Sequence, residues 1–182
     1  MKRAPDPEIR KRQILETAMR LFYEKGFDET SLEDIAAELG VVKSLCYRYF
    51  SSKQALLDAA LDEYTDECCG ALLPVLHDGE LSMAERLHRM MGLMLRPEGS
   101  GRYHDFFHKT GNEAMHQQLA ARMCRYLIPH AALELERLGA ECPEITAEFL
   151  LYGMTGIWQE NGGADDAKAM QFDRLAAAVL AE

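Results

Sequence analysis

Apolar residues recur at intervals of three and four along almost the whole chain, and alternating β-branched runs are missing, so the pattern predicts helices and no sheet. Ile14, Leu15, Ala18, Leu21 and Phe22 make one stripe over a first helix, from Pro7 or Glu8 to Lys25, which Gly26 stops. Thr30 and Glu33 have capping-box spacing ahead of a short second helix with Leu32, Ile35, Ala36 and Leu39 on one face and Gly40 at its end. A short third helix follows from about Val42 to Tyr49, bounded by Phe50 and Ser51-Ser52. Ser51 and Gln54 repeat the capping-box spacing and open a long stripe, Leu56 to Leu72, expected to fade near Pro74.

Ser82 with Glu85 starts the next helix, whose stripe is Met83, Leu87, Met90, Met91 and Met94, and residues 97–101 (PEGSG) close it. A short aromatic segment, Tyr103 to Lys109, leads into a long helix from Asn112 to Leu138 with a kink expected at Pro129 and a stop at Gly139. Pro143 begins another helix. Its segment Phe149 to Trp158 is apolar nearly all round, which predicts burial on two sides. Gly162-Gly163 breaks it, and Leu175, Ala176, Val179 and Leu180 mark a last amphipathic helix. About nine helices and an all-α fold are expected.

Composition adds compartment and partner. A chain of 182 residues, 48% hydrophobic, can bury a proper core without staples. Five cysteines without CxxC spacing argue against a disulfide framework and a zinc ribbon, so a reducing cytoplasm is the expected location. No apolar run follows the basic N-terminus and none reaches eighteen residues, so neither export nor a membrane span is expected. The net charge of −10 is unevenly shared: residues 1–53 hold ten Lys and Arg against nine Asp and Glu, the remainder ten against twenty-one. Only the first third could tolerate a phosphate backbone.

That third contains Gly40 to Lys53, GVVKSLCYRYFSSK. Two short helices joined at a glycine, the second one polar, describe a helix-turn-helix. On a helix, Lys43, Ser44, Tyr47 and Arg48 share a broad face, with Cys46 and Phe50 opposite. One face suits DNA and the other a core. Lys43 and Arg48 can donate to guanine or phosphate, and the hydroxyls of Tyr47 and Tyr49 can reach phosphates.

Residues 9–61 resemble the TetR/AcrR family of bacterial transcription regulators. Three blocks carry the likeness, in order: Ile14, Leu15, Ala18, Leu21, Phe22 and Gly26; then Thr30 or Ser31, Ile35, Ala36, Gly40 and Val41; then Tyr47, Tyr49, Phe50, Ser52, Lys53 and Leu56. The resemblance implies a three-helix DNA-binding domain over residues 1–51 and a larger helical effector-binding and dimerisation domain over 52–182. It places Thr30 and Ser31 at the DNA face and assigns Tyr47, Tyr49 and Lys53 to backbone contacts. The chain departs from the family pattern at Val42, usually Ser or Thr, and at Ser44 and Leu45, commonly Gly and Thr. Val42 cannot cap the third helix, and we expect Val42 and Leu45 to meet thymine methyls instead.

A single short helix reads few base pairs, so a two-fold homodimer on a near-palindromic operator is expected, paired through Phe149, Tyr152, Gly153, Gly156, Trp158, Leu175 and Val179. The family's effector pocket would draw on Met91, Met94, Tyr103, His104, Phe107, His108, Met123 and Tyr126, soft and aromatic side chains suited to a small molecule. His104 and His108 lie four apart, but without a firm third ligand they fall short of a metal site, and no metal is expected. Vicinal Cys68-Cys69 reads as packing. No nucleophile elbow, phosphate loop or acid–base pair is legible, so neither catalysis nor a cofactor is expected. The leading expectation is a repressor released by an effector. The rival is a helical ligand-binding or enzymatic domain whose helix-turn-helix serves protein contacts.

Overall fold

The computed structural model describes residues 6–94, 103–160 and 166–179, and the side chains of these except 157–160 and 166–169. The expected turn at 97–101, the Gly162-Gly163 break, Leu180 and the side chain of Trp158 lie outside the described residues. Among the described residues are nine helices and no strand: α1 (Pro7–Lys25), α2 (Leu32–Glu38), α3 (Lys43–Tyr49), α4 (Lys53–Leu76), α5 (Met83–Met94), α6 (His104–Phe107), α7 (Glu113–Arg137), α8 (Pro143–Glu160) and α9 (Asp166–Val179).

The chain forms two compact units. One holds the described residues of Met1–Tyr64 and Arg102–Glu113, the other those of Thr65–Gly101 and Ala114–Glu182. In the first unit, the apolar stripe of α1 is buried together with Leu32, Ile35 and Ala36 of α2, Cys46 of α3, Phe50, and Leu56, Leu57 and Leu61 of α4. Phe22 meets Phe27 edge-on at 5.0 Å, and Tyr64 stacks on Phe107 at 5.4 Å between ring centres. The second unit buries the inner faces of α5 and α7 with Leu150, Leu151 and Met154 of α8 and Phe172 and Ala176 of α9.

Two helix starts differ from expectation. The cap of α2 is Ser31, one residue later than Thr30: its hydroxyl accepts from Asp34 N–H at 3.2 Å, and Asp34 accepts from Ser31 N–H at 2.8 Å. Thr30 is unavailable for capping because its hydroxyl donates to the Gly26 carbonyl at 2.8 Å. Likewise α4 is capped by Ser52, which accepts from Ala55 N–H at 3.1 Å, while Gln54 turns to Asp58. Capping-box spacing fits neighbouring registers when Ser, Thr and acidic residues cluster, and packing of the apolar face chooses between them.

Helix α4 ends at Leu76, two residues past Pro74 and so close to the expected end. A proline removes one backbone donor, yet the last turn persists because His77 N–H bonds Leu73 O at 3.0 Å, Leu76 is buried, and the Arg86 guanidinium donates to Leu76 O at 3.0 Å. Pro129 lies inside α7 without ending it. Helix α7 stops where expected: Gly139, at φ 87°, directs its N–H to Glu136 O while Ala140 N–H reaches back to Leu135 O.

Helix α8 is covered by its own chain on one side only, and the other face, carrying Ile145, Phe149 and Tyr152, is bare.

Candidate nucleic-acid interface

The geometry of the site starts at Gly40. With φ at 64° it ends α2, Gly40 N–H bonding Ala37 O at 3.0 Å and Val41 N–H bonding Ala36 O at 2.9 Å. This left-handed stop reverses the chain and delivers α3 against α2. No side chain caps α3: Val42 occupies the cap position with extended backbone and makes no capping bond.

Seven residues form α3, and its two faces separate cleanly. Cys46 is fully buried and Phe50 closes the end, its N–H bonding Cys46 O at 3.0 Å. Burial pushes the Cys46 thiol above its ordinary pKa, so it is an apolar anchor. Lys43, Ser44, Tyr47 and Arg48 are exposed, Val42 is 70% exposed ahead of them, and Leu45 and Tyr49 are half-buried. Arg48 reaches the Tyr49 hydroxyl at 3.4 Å and lies over its ring. The Lys43 ammonium sits 5.3 Å from the Tyr47 ring centre and pairs with Glu33 of α2. An open concavity of about 450 Å³ adjoins this face, lined by Asp28, Glu29, Thr30, Ser31, Leu32 and Glu33, by Tyr47, and by Ser51, Ser52 and Lys53.

Two sequence-predicted contacts take other positions. Thr30 is only 2% exposed with its hydroxyl turned inward, so it fastens the loop before α2. Lys53 directs its ammonium to Phe27 O at 2.6 Å and Asp28 O at 3.1 Å, over the Phe27 ring. Lys53 thereby ties the start of α4 to the loop before α2. Ser31, half-buried, is engaged in its capping box, and its hydroxyl bond holds the Asp34 carboxyl below the usual range. Sequence reasoning missed the Glu33 partner of Lys43, because ten residues and a turn separate them and no helical period connects the two.

The residues expected at an effector pocket fall into both units. In the first, Tyr103 and Phe107 are buried, and Tyr64 hydrogen-bonds His104 Nδ1 at 2.9 Å and His108 Nε2 at 3.5 Å. The two imidazole rings lie 4.2 Å apart, and Tyr103 donates to Glu63 at 3.1 Å. In the second, Met91 and Met123 are buried, Met94 is half-buried, and Tyr126 stacks on His130 at 5.8 Å. Among the described residues, no three His, Cys, Asp or Glu side chains gather as a metal site requires. Burial raises the Cys69 thiol to about 12, so beside Cys68 it stays protonated at neutral pH.

Of the residues expected to pair two copies, Phe149 (62% exposed), Tyr152, Gly156, Leu175 (63%) and Val179 are open. Gly153 is open as well, and a side-chain carbon there would meet the Phe172 ring of α9 at 3.4 Å, an ordinary contact distance.

Residues 14–60 match the family model described as "Bacterial regulatory proteins, tetR family", and this window contains the whole capped α2, the Gly40 turn and α3. Residues 14–60 thus carry the helix-turn-helix region of the tetR family of bacterial regulatory proteins. Among curated relatives, the HTH-type transcriptional regulator YuxN of Bacillus subtilis is 40% identical over 67 residues, 37% of this chain but only 23% of that one. The chain thus spans less than a quarter of the length of that curated relative. The HTH-type transcriptional regulator BetI of Klebsiella pneumoniae is 25% identical over 162 residues, covering 82% of this chain and 80% of its own. Among solved structures, a TetR-like transcriptional regulator from Rhodococcus sp. RHA1 is 28% identical with a TM-score of 0.56, covering 98% of this chain and 99% of that one.

Proposed function

We propose that the protein is a DNA-binding transcriptional regulator of the TetR type, a homodimer in the cytoplasm that occupies a near-palindromic operator and leaves it when a small molecule binds. The observation that carries this reading is α3: buried Cys46 and Phe50 hold one side while Lys43, Ser44, Tyr47 and Arg48 stand exposed on the other. Such a helix can enter a major groove, with Val42 and Leu45 against thymine methyls, Tyr47 and Tyr49 on phosphates and Ser31 beside them. Residues 1–51 would act as the reading head and 52–182 as the sensing and pairing domain.

Homodimerisation is supported by an unpaired apolar surface. Ile145, Phe149, Tyr152 and Gly156 follow one another at intervals of four, three and four on α8, and Leu175 and Val179 add an exposed stripe on α9. Two such helix pairs can close into a four-helix bundle about a two-fold axis. Effector sensing is supported by the Tyr64, His104 and His108 group, whose phenol and imidazoles suit a carboxylate or phenolic ligand. As one continuous helix from the Ser52 cap to Leu76, α4 could carry a tilt between sensing and reading residues. No helix among the described residues is long and apolar enough to cross a membrane.

The decisive experiment is selection of bound duplexes from a random pool with the purified full chain, followed by mobility shifts at two salt concentrations. A recovered near-palindrome, bound more weakly at the higher salt, is expected. Recovery of no preferred sequence would overturn the DNA-binding reading.

A further inference from the structure

We propose that Glu33 and Lys43 act together as one reader, recognising a single G·C base pair in each half-site through the major groove. The inference rests on the DNA-binding reading above. Glu33 stands in the first turn of α2 and Lys43 is the first residue of α3, and the Gly40 stop brings them into an ion pair across the turn. The side chains are 51% and 50% exposed; Glu33 lines the same concavity as Tyr47, and the Lys43 ammonium lies over the Tyr47 ring. A pair so open to water contributes little to folding. Its position on the reading face therefore asks for another explanation.

Chemistry supplies one. A free lysine beside DNA is a mobile point charge and goes readily to phosphates, which carry no sequence information. Here the ammonium is held from two sides, by the Glu33 carboxylate and the Tyr47 ring. With one of its three protons engaged by Glu33 Oε1, the ammonium keeps two for another acceptor. The carboxylate, repelled by phosphates, keeps that ammonium off the backbone and retains a second oxygen as an acceptor. Side by side the pair offers two donors and then an acceptor. A G·C pair presents the complement in the major groove: guanine N7 and O6 accept, and cytosine N4 donates. An A·T pair presents acceptor, donor, acceptor and a methyl group, which leaves the carboxylate facing the thymine oxygen.

The test uses the full chain and the operator recovered by selection. Each base pair of the half-site is replaced in turn, and the ratio of affinities for intact and altered operator is measured for wild type, Glu33→Ala, Lys43→Ala and the double variant. Because each ratio compares two DNAs on one protein sample, a change in the folded fraction cancels. In the wild type one G·C pair should show a loss of about 5- to 150-fold on replacement, the usual range for a good bidentate base contact. Both single variants and the double variant should lose the preference at that same pair and nowhere else, because the two groups act as a unit. Binding of Glu33→Ala to random duplex should become tighter, since a repelling carboxylate has gone. If Glu33→Ala keeps every base preference of the wild type, or the two single variants lose preference at different pairs, the inference is overturned while DNA binding stands. A wild type that selects no duplex overturns both.

Discussion

Two pairs of a cation with a glutamate lie in opposite surroundings in the two units. In the second unit, the guanidinium of Arg86, 4% exposed, donates to Glu134 at 3.0 Å and to the carbonyls of Leu76 and Leu81, both at 3.0 Å. Glu134 in turn accepts from His77 at 2.9 Å and from Arg137. The charges of Arg86 and Glu134 have been taken from water and are met by several partners, tying the end of α4 and the loop after it to α7. In the first unit, Glu33 and Lys43 face water and make one bond to each other. Burial separates the two roles: a desolvated pair has its geometry spent on the fold, and an exposed pair remains available to another molecule.

The contrast is broken most severely at Arg86. Arg86→Ala would leave Glu134 buried and undercompensated, and we expect a loss of about 3 to 5 kcal/mol, read as a lower urea midpoint. The double replacement Arg86→Met with Glu134→Leu should recover most of it, because no charge is then stranded. An Arg86→Ala loss below about 1 kcal/mol would place the pair with ordinary surface bridges. The same network sets an acid dependence. The His77 hydrogen bond first, and then Arg86, hold the Glu134 carboxyl below its ordinary range. Its contribution is complete above the unfolded-state value of about 4.3 and disappears as pH falls through the lower folded-state value. Glu134→Gln should flatten the stability profile in that acid window.

Lys53 and Ser31 fall between the two extremes. Lys53→Met removes charged hydrogen bonds to Phe27 O and Asp28 O, for which about 1.5 to 3 kcal/mol is expected in denaturant unfolding. Lys53→Arg should retain part of it. Ser31→Ala removes one side of the capping box of α2 and should cost about 1 kcal/mol. If instead Thr30→Ala cost nothing while Ser31→Ala cost several times more, the Thr30 bond to Gly26 O would not be fastening the loop.

Periodicity made the helices legible, since α1, α5 and α7 bury the stripes that intervals of three and four marked out. It also sorted α3, placing Cys46 and Phe50 inward and Lys43, Ser44, Tyr47 and Arg48 outward. What escaped was fixed by register or by tertiary approach. Thr30 and Ser31 are equally good caps as residues, and only the inward hydroxyl bond of Thr30 assigns the role to Ser31. A buried arginine has no pattern of its own: Arg86 sits on the apolar face of α5 because Glu134, 48 positions later, is brought opposite it. Lys53 looked like a phosphate ligand, and the carbonyls that occupy it come from a loop 25 and 26 residues earlier.

The smallest expected effect is the one that sharpens the comparison furthest. Glu33→Ala removes a carboxylate that bonds Lys43 in half-exposed surroundings, so unfolding stability should change by less than about 1 kcal/mol. Salt should weaken even that contribution, because exposed charges are screened over about 10 Å at 0.1 M ionic strength. The coupling between Glu33→Ala and Lys43→Ala in a double-mutant cycle of stability should likewise be small, well below that between Arg86→Met and Glu134→Leu. A large coupling at Glu33 would mean that the pair clamps α2 to α3 and that its geometry is already spent on the fold, as in the second unit. A small one leaves the bond weak enough for a base pair to share, which a reader at the start of α3 requires.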